Sequence, residues 1–145
     1  MGRQYMSRDS KVYLEDIIGA VGRIRKYLEG RPWKEASKDE KTFDAVVRNI
    51  EVIGEAVKHL PIEMTTAEKS VEWRKIAGMR DVLAHEYFGV DEAIIGDVVE
   101  KKLEGLDRTA RRLLSDKDPS VREKDAPYAV NKTLKKVKKK AKTRR

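Results

Sequence analysis

Apolar residues recur at steps of three and four along four stretches of the chain, the period that turns one face of an α-helix toward a core. In the first stretch the repeating positions are Leu14, Ile17, Ile18, Val21, Ile24, Tyr27 and Leu28. Asp9 or Ser10 can cap its start, and Gly30-Arg31-Pro32 ends it. The second opens at Ser37-Lys38-Asp39-Glu40, a sequence with the form of a capping box. It continues through Phe43, Val46, Val47, Ile50, Ile53, Val57 and Leu60 to a stop at Pro61. A polar connection from Glu63 to Ser70 leads to a third helix around 71–84, with Trp73, Ile76, Met79, Val82 and Leu83 on its buried side. Phe88-Gly89-Val90 breaks that helix, and Asp91 can cap a fourth of about 23 residues. The fourth packs through Ile94, Ile95, Val98, Leu103, Leu106, Ala110 and Leu113. Strict alternation is nowhere sustained and no internal repeat is found. The expected fold is all-α, an antiparallel bundle of four to five helices.

Charge changes this picture at one end only. Of the 145 residues 40% are charged, with a net charge of +8. Residues 116–145 hold 12 Lys/Arg against 4 Asp/Glu, so this segment accounts for the entire excess and the preceding body is neutral. The division expected is a helical domain over 1–115 and a Lys-rich tail over 116–145. As a solvated, disordered segment the tail needs no partner. As a phosphate-seeking arm it would displace counterions from RNA or DNA without reading sequence. Leu134, Val137 and Ala141 also keep helical spacing, which would let part of it fold on binding. No apolar run reaches the roughly 18 residues of a membrane span, and the N-terminus does not have the form of a secretory signal. With no cysteine in the chain, disulfides and thiolate chemistry are excluded, and a cytoplasmic location is expected.

Candidate chemistry concentrates between Trp73 and Tyr87. The chain has two histidines, and one of them, His85, stands here at a helix end. At 100° per residue Arg80 and Tyr87 fall within about 20° of each other, while His85 is turned by about 140° from Arg80. A common target for Arg80 and His85 therefore needs long side chains, a loosened helix near Glu86, or a second copy of the chain. A neutral imidazole can take a proton from a ribose 2′-hydroxyl or return one to a leaving oxygen. A guanidinium can grip a phosphodiester through two parallel hydrogen bonds, and a phenol can orient it. Those groups suffice for RNA cleavage without a metal; no convincing carboxylate cluster suggests two-metal chemistry. On spacing alone a plainer account stands beside this one. His85 would be a helix cap, Arg80 the partner of Asp81, Asp44 or Glu55, and Tyr87 part of the core. His59 has no motif around it and fits a surface or satisfied core histidine. Tyr5, Tyr13, Tyr27 and Tyr128 fit packing or surface positions.

Arg80-x4-His85-x-Tyr87 resembles the signature of HepT-type proteins of the HEPN ribonuclease superfamily, with Asp81 where that branch more often carries Asn. The resemblance extends to Arg8-Asp9 with Tyr13-Leu14-Glu15-Asp16-Ile17-Ile18, to Arg48-Asn49-Ile50-Glu51-Val52-Ile53-Gly54-Glu55-Ala56, and to Trp73-x2-Ile76-x-Gly78-Met79-Arg80. Together with Tyr87-x2-Val90-Asp91 it covers roughly 8–114 and leaves out the basic tail. It implies an endoribonuclease toxin of a toxin–antitoxin pair, acting at the cleft of a homodimer with Arg80 and His85 as catalytic residues. Tyr87 would contribute to that site and accept AMP from a partner nucleotidyltransferase, which silences the toxin. Asp81, Arg48, Asn49 and Glu55 match family positions and are expected in support. No cofactor and no metal is implied. A second reading is a non-catalytic module that binds a nucleotide or RNA and docks a nucleotidyltransferase; a third is a helical interaction protein.

Overall fold

The computed structural model describes residues 8–85 and 91–117. They form an all-α bundle, with no strand among the described residues. Helix α1 spans Arg8–Leu28 and buries Leu14, Ile17, Ala20, Val21 and Ile24 completely. Asp9 and Ser10 stand inside its first turn rather than capping it. Asp9 there opposes the positive end of the helix dipole. The chain leaves α1 through two left-handed residues, Glu29 (φ 53°) and Gly30 (φ 77°). Arg31 then turns back, donating from Nε to Leu28 O and from Nη2 to Tyr27 O, both at 2.9 Å. That one side chain reaches two carbonyls of the helix end, of which Leu28 O also accepts from Arg31 N at 2.9 Å.

A short helix that the apolar period does not announce, α2 (Trp33–Ala36), follows Pro32. Its Trp33 is buried and its indole donates to Glu92 O at 3.0 Å. A Cβ at Gly96 would lie 2.6 Å from Trp33 Cδ1, so the glycine is what lets the ring sit this close. Helix α3 (Glu40–Lys58) is capped by Asp39, which accepts from Lys41 N at 3.3 Å and from Thr42 Oγ1 at 2.7 Å. Ser37, the expected cap, ends α2 instead. A cap must directly precede its helix, and the turn of α2 takes up the chain as far as Ser37.

Helix α3 packs against both α1 and the later α5 (Trp73–His85), which makes it the centre of the bundle. It stops at Lys58, and Pro61 opens another short helix, α4 (Ile62–Ala67), in the stretch expected to be a polar connection. No residue of α4 is buried, which explains why periodicity misses it. Helix α5 (Trp73–His85) buries Trp73, Ile76 and Leu83. Val82, expected on that buried side, is half exposed, because one residue is a 100° turn away from Leu83.

The last helical stretch starts with α6 (Glu92–Asp97), capped by Asp91 through Ala93 N at 2.8 Å. Ile94 in its first turn is half exposed, so packing begins at Ile95. A π-helical turn, Val98–Lys102, then joins α6 to α7 (Leu103–Lys117). Buried Val98 and Leu103 are five residues apart, which in a regular helix would set them about 140° from each other. The i→i+5 bond from Leu103 N to Val98 O inserts the extra residue that restores both to one side.

By internal contacts Arg8–Ala110 is one compact unit. Residues 111–117 belong to a second, whose described part is the end of α7 with Leu113 and Leu114 buried. The expected tail helix lies outside the described residues. Among the described residues no helix is long and apolar enough to cross a membrane.

Candidate functional site

The contact between α3 and α5 is set by one missing side chain. A Cβ on Gly54 would stand 2.6 Å from Arg80 Cβ, 3.1 Å from Ile76 O and 3.3 Å from Arg80 N. Two of those atoms are backbone, so no side-chain adjustment would relieve the clash. With only a hydrogen at Gly54 the helices close up, and Arg80 is placed beside the next turn of α3. There its Nε donates to Glu55 Oε1 at 3.1 Å, while Nη1 meets Asp81 Oδ1 at 3.3 Å. Asp81 Oδ1 also accepts from Lys58 Nζ at 3.4 Å, and this ammonium, more than Arg80, holds the Asp81 carboxyl below its ordinary range.

The result is a row of alternating charge, Glu55, Arg80, Asp81 and Lys58, spread over two helices. All of it is partly open: the Arg80 side chain is 35% exposed and Glu55 47%. Ion pairs at this exposure are worth roughly 0–1 kcal/mol each. They orient the guanidinium without locking it, and a phosphodiester could replace a carboxylate there at little cost.

Glu55 faces two ways. Its Oε2 lies 3.7 Å from His59 Nδ1, and the same nitrogen donates to the Glu55 carbonyl at 2.9 Å. The imidazole lies on the ring of Tyr13 from α1, centroids 4.8 Å apart and planes inclined by 20°. A pair of residues treated from sequence as background thus stands next to the Arg80 network. The signal that could have found it is the i,i+4 spacing of Glu55 and His59, which puts them on one face of α3.

Of the residues singled out by sequence, the structure brings Arg80, Glu55 and Asp81 together. Asn49 has its contacts elsewhere: it is 6% exposed, accepts from Arg23 Nε at 2.8 Å and donates to Ala45 O at 2.9 Å, tying α1 to α3. Arg48 is 74% exposed and pairs with Glu51 at 3.6 Å. Helix α5 is described as far as the backbone of His85, with regular helix from Arg80 to His85. Tyr87, and any loosening of the helix near Glu86, lie outside the described residues.

A cleft of about 570 Å³ opens elsewhere, lined by Trp33, Glu92, Asp97, Glu100 and their neighbours. Its carboxylates are already engaged. Glu92 accepts from Ser37 Oγ at 2.8 Å, Glu100 from Trp33 N at 3.2 Å, and Asp97 pairs with Lys102 at 3.3 Å. Among the described residues no group of three or more His, Cys, Asp or Glu side chains is placed to hold a metal ion.

The ribonuclease HepT-like family model matches residues 17–113, most of the chain. The chain belongs to this HepT-like ribonuclease family. It is 39% identical over 102 residues to a Caldanaerobacter subterraneus subsp. tengcongensis protein named as a candidate RNase, covering 70% of this chain and 91% of that one. It is 38% identical over 101 residues to a Thermococcus cleftensis protein named probable ribonuclease HepT, covering 70% and 92%. A Methanocaldococcus jannaschii protein, named as a gamma-glutamylcyclotransferase and candidate RNase, is 32% identical over 131 residues. That match covers 90% of this chain but only 59% of the longer relative. No solved structure matches the chain.

Proposed function

We propose that this protein is a metal-independent endoribonuclease whose active cleft is completed by a second copy of the chain. The observation that carries the reading is Arg80, oriented by Glu55 on a half-open surface of the helix that ends at His85. Arg80 grips the scissile phosphate and stabilises the charge that builds on it. His85 takes the proton of the ribose 2′-hydroxyl as its oxygen attacks phosphorus. The bond from phosphorus to the 5′-oxygen breaks, and an imidazolium protonates that leaving oxygen. The products are a 2′,3′-cyclic phosphate and a 5′-hydroxyl end. Five positions of regular helix separate Arg80 from His85, an offset of about 140°. This supports a site in which Arg80 of one copy serves with His85 of the other.

In the same reading the protein is the cytoplasmic toxin of a toxin–antitoxin pair. A partner nucleotidyltransferase moves AMP from ATP to the Tyr87 phenol, releasing pyrophosphate and the phenolic proton. The added charge and bulk then exclude RNA from the cleft.

Incubation of the unmodified protein with RNA in EDTA tests the chemistry. Discrete cleavage leaving 5′-hydroxyl ends is expected, and it is lost in His85→Ala at unchanged helicity. No cleavage would move the family fold here to a binding role, with His85 a helix cap. Mixing Arg80→Ala with His85→Ala protein tests the shared cleft. Activity is expected to return in part, whereas sites built within one chain would stay silent.

A further inference from the structure

We infer that Tyr13 and His59 form a stacking platform for one unpaired RNA base next to the Arg80 phosphate grip. The inference rests on the ribonuclease reading for its ligand and on the geometry of α1 and α3 for its place. The two rings are stacked on each other at 4.8 Å and 20°, an offset arrangement that aromatic pairs favour. One face of the imidazole is therefore covered, and its Nδ1 edge is occupied by the Glu55 carbonyl at 2.9 Å. Even so 47% of the His59 side chain is exposed, which leaves room for a base on the face opposite Tyr13. A base laid on that face would extend a stack already two rings deep, held at its root by α1 and at its edge by the end of α3.

The location makes the ligand specific. Glu55 spans the two groups, with Oε1 at 3.1 Å from Arg80 Nε and Oε2 at 3.7 Å from His59 Nδ1. Guanidinium and imidazole are thus one carboxyl group apart, a separation that the phosphate and base of one nucleotide can bridge. A folded duplex keeps its bases inside, whereas a single strand offers them to aromatic faces, each worth about 1–3 kcal/mol. In the neutral ring the hydrogen bond to Glu55 O keeps the proton on Nδ1, which leaves Nε2 as an acceptor toward the exposed amino groups of a base.

The test is binding rather than cleavage, with a 2′-O-methyl tetranucleotide, whose blocked 2′-oxygen cannot attack, and the same sugar–phosphate strand without bases. The full-length protein is expected to prefer the base-bearing strand by about 5- to 100-fold, the range one stacked base supplies. His59→Ala, matched for helicity, is expected to lose that preference, while His59→Phe, which keeps a ring but no hydrogen bond, retains most of it. Equal loss in both variants would overturn the inference, because the imidazole would then act through the α3 end alone. Equal binding of the two strands by the unaltered protein would also overturn it, whether or not the protein cuts RNA. A ribonuclease reading that fails leaves no cleavage of ordinary RNA and is read in a separate assay.

Discussion

At the scale of single residues, Gly54 decides where Arg80 stands. Alanine in place of glycine inside an exposed helix usually gains up to about 1 kcal/mol from propensity. Here the new Cβ would meet Arg80 Cβ at 2.6 Å and the Ile76 carbonyl at 3.1 Å, and overpacking of this kind costs about 1–3 kcal/mol. The clash outweighs the propensity gain, so Gly54→Ala is expected to lower the melting temperature by several degrees and to reduce RNA cleavage further than the lost stability explains. Glu55→Gln separates orientation from packing. The pair with Arg80 is half exposed, so stability should change by less than about 1 kcal/mol while KM for RNA rises. Equal kinetics in that variant would mean that Glu55 does not orient the guanidinium. This part of the site was half legible. The Arg80 spacing and the two acids that meet it can be read along the chain. The Arg48–Glu51 pair, three apart on one helix, can be read as well, but that Asn49 turns to Arg23 cannot, because only packing says which side of α3 meets α1.

At the scale of elements, caps and periods explain most of the chain. Asp39 accepts from Lys41 N and Thr42 Oγ1 at the start of the central helix, and Asp39→Ala is expected to cost about 1 kcal/mol, read from denaturant midpoints. The capping sequence is legible here, but its form points to Ser37, two places earlier, which α2 takes up instead. Long helices announce themselves through burial every three or four residues. The four-residue α2 and α4, in which no residue is buried, carry too few buried positions to do so. Lys102 ties the π-helical turn to Glu72 at 2.9 Å. That contact lowers the Glu72 carboxyl and raises the Lys102 ammonium from their ordinary values. For Glu72, stabilisation is in force above the ordinary carboxylate value of ~4.3 and is lost as pH falls through its depressed one. For Lys102 it is in force below ~10.4 and is lost as pH rises through the raised value. Melting of Lys102→Met beside the unaltered protein should therefore differ between those limits and converge in acid and strong base. A gap that persists in acid would assign the difference to lost packing of the Lys102 stem.

At the scale of the whole molecule, charge is segregated: a neutral body carries the site and residues 116–145 carry the net +8. Every phosphate that the tail neutralises on a single strand adds about 0.7 to the slope of log affinity against log salt. Truncation after Lys117 is expected to flatten that slope and weaken RNA binding, with cleavage at saturating RNA preserved; an unchanged slope would mean that the tail does not touch RNA. The body, too, can change its length at one place. Val98–Lys102 holds one residue more than a regular turn. Removing one residue between Val98 and Leu103 would bring those two to a spacing of four, about 40° apart in an ordinary helix of better hydrogen-bond geometry, so everything downstream would keep its side. Leu103, Leu106 and Ala110 would stay in the interior, and Asp107 would stay beside Arg25, 3.5 Å from it as the chain stands. This helix keeps time with a leap day: a relative that has dropped the extra residue holds the same fold in a regular helix, because the deletion itself turns a spacing of five into one of four.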